Sequence, residues 1–140
     1  CEEDFLRCLR QRNCNGMVTE LQDKIFGFMI YELHKNELEI HNLATHPDYR
    51  REGVGKAMTD KLKSILLSHR RKSIVQEIRE TNLEGQLFLK SQGFKAINVI
   101  RDYFPDTNED AYHMKYSIDK EDSQILIPEN RVSQYFKKAA

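Results

Sequence analysis

The sequence has no excess of either charge, few cysteines and no long apolar run, and each shortage excludes something. Lys plus Arg number 22 and Asp plus Glu number 22, for a formal net charge of zero. A general nucleic-acid binder is normally basic overall, so direct contact with nucleic acid is not expected. No stretch approaches the roughly 18 apolar residues that a membrane helix needs, and no charged-then-apolar leader opens the sequence, so no membrane partner is expected. Cys1, Cys8 and Cys14 are an odd set near the front with no CxxC pair. Structural metal sites need about four converging ligands at tight spacing, so these cysteines read as ordinary small thiols. The histidines at 34, 41, 46, 69 and 113 are scattered and show no metal-ligand spacing. No metal is therefore expected, and the cysteine usage fits a cytoplasmic protein. Internal repeats and low-complexity tracts are missing as well.

What remains is a soluble globular balance, 39% apolar and 31% charged over 140 residues, which is one domain's core and not two. Residues 2–11 read as a short helix with Phe5, Leu6 and Leu9 on one face. Asn13-Cys14-Asn15-Gly16 is turn chemistry. Residues 17–21 and 25–33 are strand candidates around a Gln22-Asp23-Lys24 turn, the pattern of a hairpin. Residues 37–45 alternate, with Leu38, Ile40, Asn42 and Ala44 on one face and Glu39, His41, Leu43 and Thr45 on the other. His46-Pro47-Asp48 ends that strand, because proline lacks a donor and restricts the residue before it.

From residue 53 to 68 the period turns helical, with Val54, Met58, Leu62, Ile65 and Leu66 on one stripe. Residues 73–78 form another strand. Residues 82–92 form a second amphipathic helix through Leu83, Leu87 and Phe88, stopped by Gly93. Strands at 94–100 and 111–118 follow, joined by a polar loop holding Pro105, Asp106 and Asn108. The tail from 119 is polar except for Ile125-Leu126-Ile127. The order α-β-β-β-α-β-α-β-β places a strand-helix-strand crossover at 38–78. Those two strands should therefore run parallel inside an otherwise antiparallel α/β sheet.

The most informative stretch is Arg50-Arg51-Glu52-Gly53-Val54-Gly55-Lys56, between a strand and a helix. Glycines there let backbone N–H groups approach a ligand, the helix N-terminus adds partial positive charge, and Arg50, Arg51 and Lys56 add cations. This is an anion site suited to a pyrophosphate; the bland reading is an ordinary loop with a solvated charge run. A P-loop fails here, since Arg50 stands where its first glycine belongs and Ala57 where Ser or Thr belongs. A dinucleotide fingerprint fails too, with Met58 at its third glycine.

The pattern that fits is Arg-x-x-Gly-x-Gly after a strand. In it the sequence resembles the GNAT acetyltransferases, and within them the RimI-like ribosomal-protein-alanine N-acetyltransferases. The matching residues are His46-Pro47-Asp48-Tyr49-Arg50-Arg51-Glu52-Gly53-Val54-Gly55, then Glu77-Ile78-Arg79-Glu80-Thr81-Asn82 and Ser91-Gln92-Gly93-Phe94. Arg101-Asp102-Tyr103-Phe104 and Glu109-Asp110-Ala111 match the closing motifs. The resemblance implies a GNAT fold over 1–118, with a central splayed parallel strand pair, and a C-terminal extension over 119–140. The resemblance implies that the family's usual first strand and helix are missing, as in a shortened form of the domain.

By this resemblance the loop of Arg50, Arg51, Glu52, Gly53, Val54, Gly55 and Lys56 binds the pyrophosphate of acetyl-CoA. Leu43, Ala44 and Thr45 pair their backbone with its pantetheine arm, and Asn82, Gln86 and Leu89 contact the cofactor from the next helix. Asn82 also suits a helix N-cap. Glu77 matches the general base, needed because an α-amine with a pKa of about 8 must lose a proton before it attacks; the bland reading pairs Glu77 with Arg79 or Lys72. A backbone N–H near Leu43 or Ala44 would meet the oxyanion. The family's proton donor is a Tyr at the position of Leu89, which donates nothing. Either another hydroxyl or a water serves in its place, or the thiolate leaves unassisted, or activity is low; Tyr103 reads first as an aromatic wall of the acceptor groove and second as the substitute donor, with Tyr31 a weaker candidate. The implied function is acetyl transfer from acetyl-CoA to a protein N-terminus, an Ala-starting ribosomal protein foremost. The alternatives are a small amine or lysine acceptor, or a catalytically weak acyl-CoA-binding module. A cytoplasmic monomer or weak dimer is the expected state.

Overall fold

Gln22 and Asp23 stand consecutively at positive φ, 51° and 62°, the backbone a two-residue hairpin turn requires. They join β1 (Cys14–Leu21) to β2 (Lys24–Leu33) in the computed structural model, which describes residues 6, 7, 10 and 13–118. β3 (Glu37–Thr45), α1 (Val54–Ser68), β4 (Ser73–Arg79), α2 (Leu83–Ser91), β5 (Lys95–Phe104) and β6 (Glu109–Ser117) follow. The hydrogen-bonded strand order is β1-β2-β3-β4-β6-β5. β3 and β4, joined through α1, are the parallel pair of this mixed α/β sheet, as the crossover required. The helix expected over 2–11 lies mostly outside the described residues; Leu6, Arg7 and Arg10 are helical and exposed. The tail from 119 lies outside them altogether.

The chain divides into two compact units, Cys1–Ile74 and Val75–Ala140. In the first, Asn15 and Gly16 belong to β1, opposite Tyr31 and Ile30, rather than to the turn their composition suggested. Partner strand pairing outweighs a local turn preference here. Cys14 is disulfide-bonded, which corrects the expectation of a thiol at that position; bonding depends on which sulfurs the fold brings together, not on spacing.

A bulge in β3 decides which side chains face α1. Ile30 pairs with Asn42 but Tyr31 pairs with Ile40, so His41 is the extra residue. Directly opposed residues of an antiparallel pair share a face. Hence Leu38, Ile40, Leu43 and Thr45 lie with Leu33, Tyr31, Met29 and Gly27. Asn42 and Ala44 lie with Glu39 on the other side, reversing the expected alternation beyond residue 41. The first of these faces belongs to α1, because the Cβ direction of Gly27 meets Val54 and Met58. Met29, Leu38, Ile40, Met58, Leu62 and Leu66 are buried, most of the apolar stripe read from the sequence.

In the second unit Ile78, Leu89, Phe94, Ala111, Tyr112 and Met114 are buried. α2 sits closer to its strand than its expected apolar face allowed. Leu83 and Leu87 are exposed and Leu89 is the buried leucine, since Gly85 is the contact point: a Cβ there would stand 2.5 Å from Ile78 Cδ1. Asn82 caps α2 by accepting from Gly85 N at 3.0 Å, and Gly93 leaves it at φ 92°, both as expected. β5 runs on through Arg101-Asp102-Tyr103-Phe104, beyond its expected end at 100, with the register interrupted between Ile100 and Phe104.

Gly27 is the tightest point of the first unit: its Cβ would meet Ala44 O at 2.8 Å, Val54 Cγ1 at 2.9 Å and Met58 Cε at 3.0 Å. Gly27→Val should cost about 1–3 kcal/mol by overpacking, read as a lower urea midpoint at unchanged m-value.

Candidate active site

In the first unit the end of β3 and the start of α1 are brought together by a short, sharply turned segment. Leu43, Ala44 and Thr45 close β3 opposite Met29, Phe28 and Gly27, and His46 N donates to Phe26 O at 2.7 Å. Pro47–Tyr49 then form one 3-10 turn, in which Asp48 N donates to His46 Nδ1 at 3.2 Å. Tyr49 packs edge-on against Phe26, centroids 4.2 Å apart. The chain reverses through Arg51 at φ 66° and Gly53 at φ 82°. The position where a Cβ of Gly53 would lie has no atom within 4 Å. The loop therefore opens to solvent while its backbone conformation still favours glycine.

α1 begins at once after Gly53, and its first internal bond runs from Ala57 N to Gly53 O at 2.9 Å. The N–H groups of Val54, Gly55 and Lys56 precede that bond, so this end of the helix presents donors and a positive partial charge. Lys56 contributes less than expected, because its ammonium lies 2.7 Å from Asp60 Oδ2, one turn along. That bond holds the Asp60 carboxyl below its ordinary range. Arg50, Arg51 and Glu52 are exposed around the turn.

In the second unit Glu77 is part-buried on β4. Its Oε1 accepts from His113 Nδ1 at 2.7 Å, with side-chain exposures of 15% and 22%. Sequence reasoning passed over His113, which lies 36 positions away and joins Glu77 only through strand pairing. Arg79 donates to Asp106 and Thr107 and stacks 4.0 Å over Phe104. Thr81 donates a short hydrogen bond to Glu109.

The same unit buries two acids. Asp110, 1% exposed, accepts from Arg101 Nη1 at 2.8 Å and Asp102 N at 3.0 Å. Glu80 accepts from Asp110 N and donates its own N–H to Asp110 O. Buried carboxylates are tolerable only when so bonded, and these fix the irregular stretch of β5 that carries Tyr103. Tyr103 itself is 44% exposed, edge-on to Phe104 at 4.9 Å. Gln86 donates to Arg79 O and Glu80 O, and the Asn82 carbonyl caps α2. Both amides thus hold the strand-to-helix corner. Leu89 is 1% exposed. In the first unit Tyr31 is buried, which raises its hydroxyl above the usual range.

The guanidinium of Arg79 holds the Asp106 carboxyl below its ordinary range, and the Thr81 hydroxyl first, with Thr107 and Arg79, does the same for Glu109. A lowered folded-state value means stabilisation present above the unfolded carboxylate pKa of roughly 4 and lost as pH falls below it. Arg79→Gln should therefore lower Tm at neutral pH, and the gap to the parent should shrink on titration to about pH 3. A gap independent of pH would remove the ion pairs from the explanation.

The family model described as "Acetyltransferase (GNAT) domain" matches residues 12–96. Over 119 residues the chain is 29% identical to the [ribosomal protein bS18]-alanine N-acetyltransferase of Escherichia coli K12, covering 84% of this chain and 80% of that one. The crystal structure of the Escherichia coli ribosomal-protein-S18-alanine N-acetyltransferase superposes with a TM-score of 0.74 at 25% identity, over 93% of this chain and 81% of that one. A GNAT acetyltransferase from Elizabethkingia anophelis with acetyl-CoA bound shares the fold, TM-score 0.74 at 16% identity over 84% of each chain. The glycine turn at the head of α1, the parallel β3–α1–β4 crossover and these matches have one conclusion: the chain belongs to the GNAT family and is an acetyltransferase.

Proposed function

We propose that this acetyltransferase moves an acetyl group from acetyl-CoA to the α-amine of a protein beginning with alanine, a ribosomal protein being the acceptor that its similarities favour. The observation that carries this reading is the 29% identity to the bS18-alanine N-acetyltransferase sustained over 84% of the chain. The residues fit the co-substrate. An open turn with Arg51 and Gly53 at positive φ leads straight into a helix N-terminus, a donor set suited to a pyrophosphate. Backbone donors would carry that binding, with Arg50, Arg51 and Lys56 around them and Lys56 also holding Asp60. The backbone at Leu43, Ala44 and Thr45 would pair with the pantetheine arm as an added strand does. A backbone N–H at Leu43 or Ala44 would meet the developing oxyanion.

Glu77 would act as the base. The His113 ring meets its Oε1 at 2.7 Å, and a carboxylate has acceptor capacity for more than one donor, among them the incoming ammonium. Loss of that proton exposes the lone pair that attacks the thioester carbon. Tyr103 would supply the proton to the departing thiolate. Asn82 and Gln86 would act on the cofactor by holding the corner from which α2 starts. Leu89 fills the position of the family's tyrosine and is sealed from solvent at 1% exposure. That burial favours one second reading, a slow enzyme that chiefly binds acyl-CoA. The similarity over most of the chain also supports residues 1–118 as the catalytic domain, and we place it in the cytoplasm as a monomer or weak dimer.

CoA release with an Ala-initiated peptide tests the acceptor; release only with small amines or lysine peptides would replace it. Glu77→Gln should lower kcat by about 10²–10⁴ with acetyl-CoA affinity kept, and an unchanged kcat would remove Glu77 as base. Gly53→Val forces a β-branched residue to positive φ and should weaken acetyl-CoA retention in equilibrium dialysis.

A further inference from the structure

The face of the β2–β3 pair turned away from α1 carries a cluster that the acyl-transfer reading leaves unused. Glu32 lies directly opposite Glu39 across the pair, and His41, two residues on from Glu39, shares its face by ordinary strand alternation. His41 Nε2 stands 2.7 Å from Glu32 Oε2, and His41 Nδ1 4.0 Å from Glu39 Oε1. His34, at the hairpin end, places Nε2 2.7 Å from Glu39 Oε2 and 3.6 Å from Glu32 Oε2. Ligand atoms of Glu32, Glu39 and His41 all lie within 4.8 Å of one another. Both carboxylates are only about one-fifth exposed, 20% for Glu32 and 22% for Glu39.

Two carboxylates placed directly opposite on a sheet repel each other. Two neutral imidazoles relieve this only in part, each having one N–H to lend. A dication relieves it fully, taking the place of the shared protons and drawing on the imidazole lone pairs that those protons otherwise occupy. The frame is already held: His34 N donates to Glu37 O at 2.9 Å, Arg71 Nε donates to His34 O at 2.7 Å, and Lys72 N donates to Asn36 O at 3.0 Å. Metal–ligand bonds of about 2.0–2.2 Å in a tetrahedron separate neighbouring ligands by roughly 3.4 Å. Glu32, Glu39 and His41 each offer one atom within 4.8 Å of the others, and His34, whose Nε2 is near both carboxylates, joins them by side-chain rotation.

We propose that Glu32, Glu39 and His41, with His34 as fourth ligand, bind one divalent ion of the borderline class, Zn²⁺ or Co²⁺, and clip the end of the β2–β3 hairpin. Two imidazoles with two carboxylates suit such an ion, whereas Mg²⁺ and Ca²⁺ demand an all-oxygen shell. The ion is structural and touches none of the residues assigned to acetyl transfer.

The test uses the whole chain, stripped with chelator and desalted. Isothermal titration with ZnCl₂ should give one ion per chain, and Co²⁺ should produce the intense visible bands of a tetrahedral site. His41→Ala should weaken Zn²⁺ at least about tenfold, a loss that even a residue one shell further out produces. Glu39→Gln removes the like-charge contact, so it should fold as well as the parent without metal while losing the Zn²⁺-induced rise in Tm. Absence of saturable binding at millimolar metal would overturn the site. So would equal competition by Mg²⁺, or unaltered Zn²⁺ affinity in both variants.

Discussion

A single extra residue in β3 sets much of what the first unit can do. An antiparallel ladder sends successive side chains to opposite faces, so a strict alternation through 37–45 would have turned Leu43 and Thr45 away from α1 and brought Asn42 and Ala44 beneath it. By bulging at His41 the strand keeps Leu38 and Ile40 in the core and then restores apolar contact with Leu43. The strand end thereby meets the helix start at the one place without a side chain, Gly27. The tight approach at Gly27 and the turn through Arg51 and Gly53 follow from that placement.

The second unit rests on a different device, carboxylates buried beside their own backbone. Asp110 and Glu80 exchange hydrogen bonds across neighbouring strands and anchor Arg101 and Asp102. They impose the irregular course of β5 that carries Tyr103. Arg79 is drawn to the acidic turn by Asp106, Thr107 and Glu109. Glu77 is bonded to the imidazole of His113.

Elements with local causes were legible in the sequence. The Pro47 break, the Gly53 start, the Asn82 cap and the Gly93 stop are each dictated by one residue's backbone chemistry, and each lies where its residue type requires. The boundaries of β3 were legible for the same reason, with breakers on both sides. Readings that depended on partners were less secure. Gly16 looked like a turn and became strand because β2 pairs with it; Leu83 and Leu87 looked like core and became surface because Gly85 takes the contact.

The sequence by itself determined the order of elements, the parallel crossover and the glycine turn at the head of α1, because φ preferences, capping and hydrophobic period act over a few residues. Its Arg-x-x-Gly-x-Gly turn, with the blocks around Glu77 and Tyr103, also carried the family. Only the tertiary structure decided that Glu77 meets His113 and that Glu32 stands against Glu39 and His41. Those meetings depend on strand register, and register is set by the packing of faces that no local stretch of sequence contains.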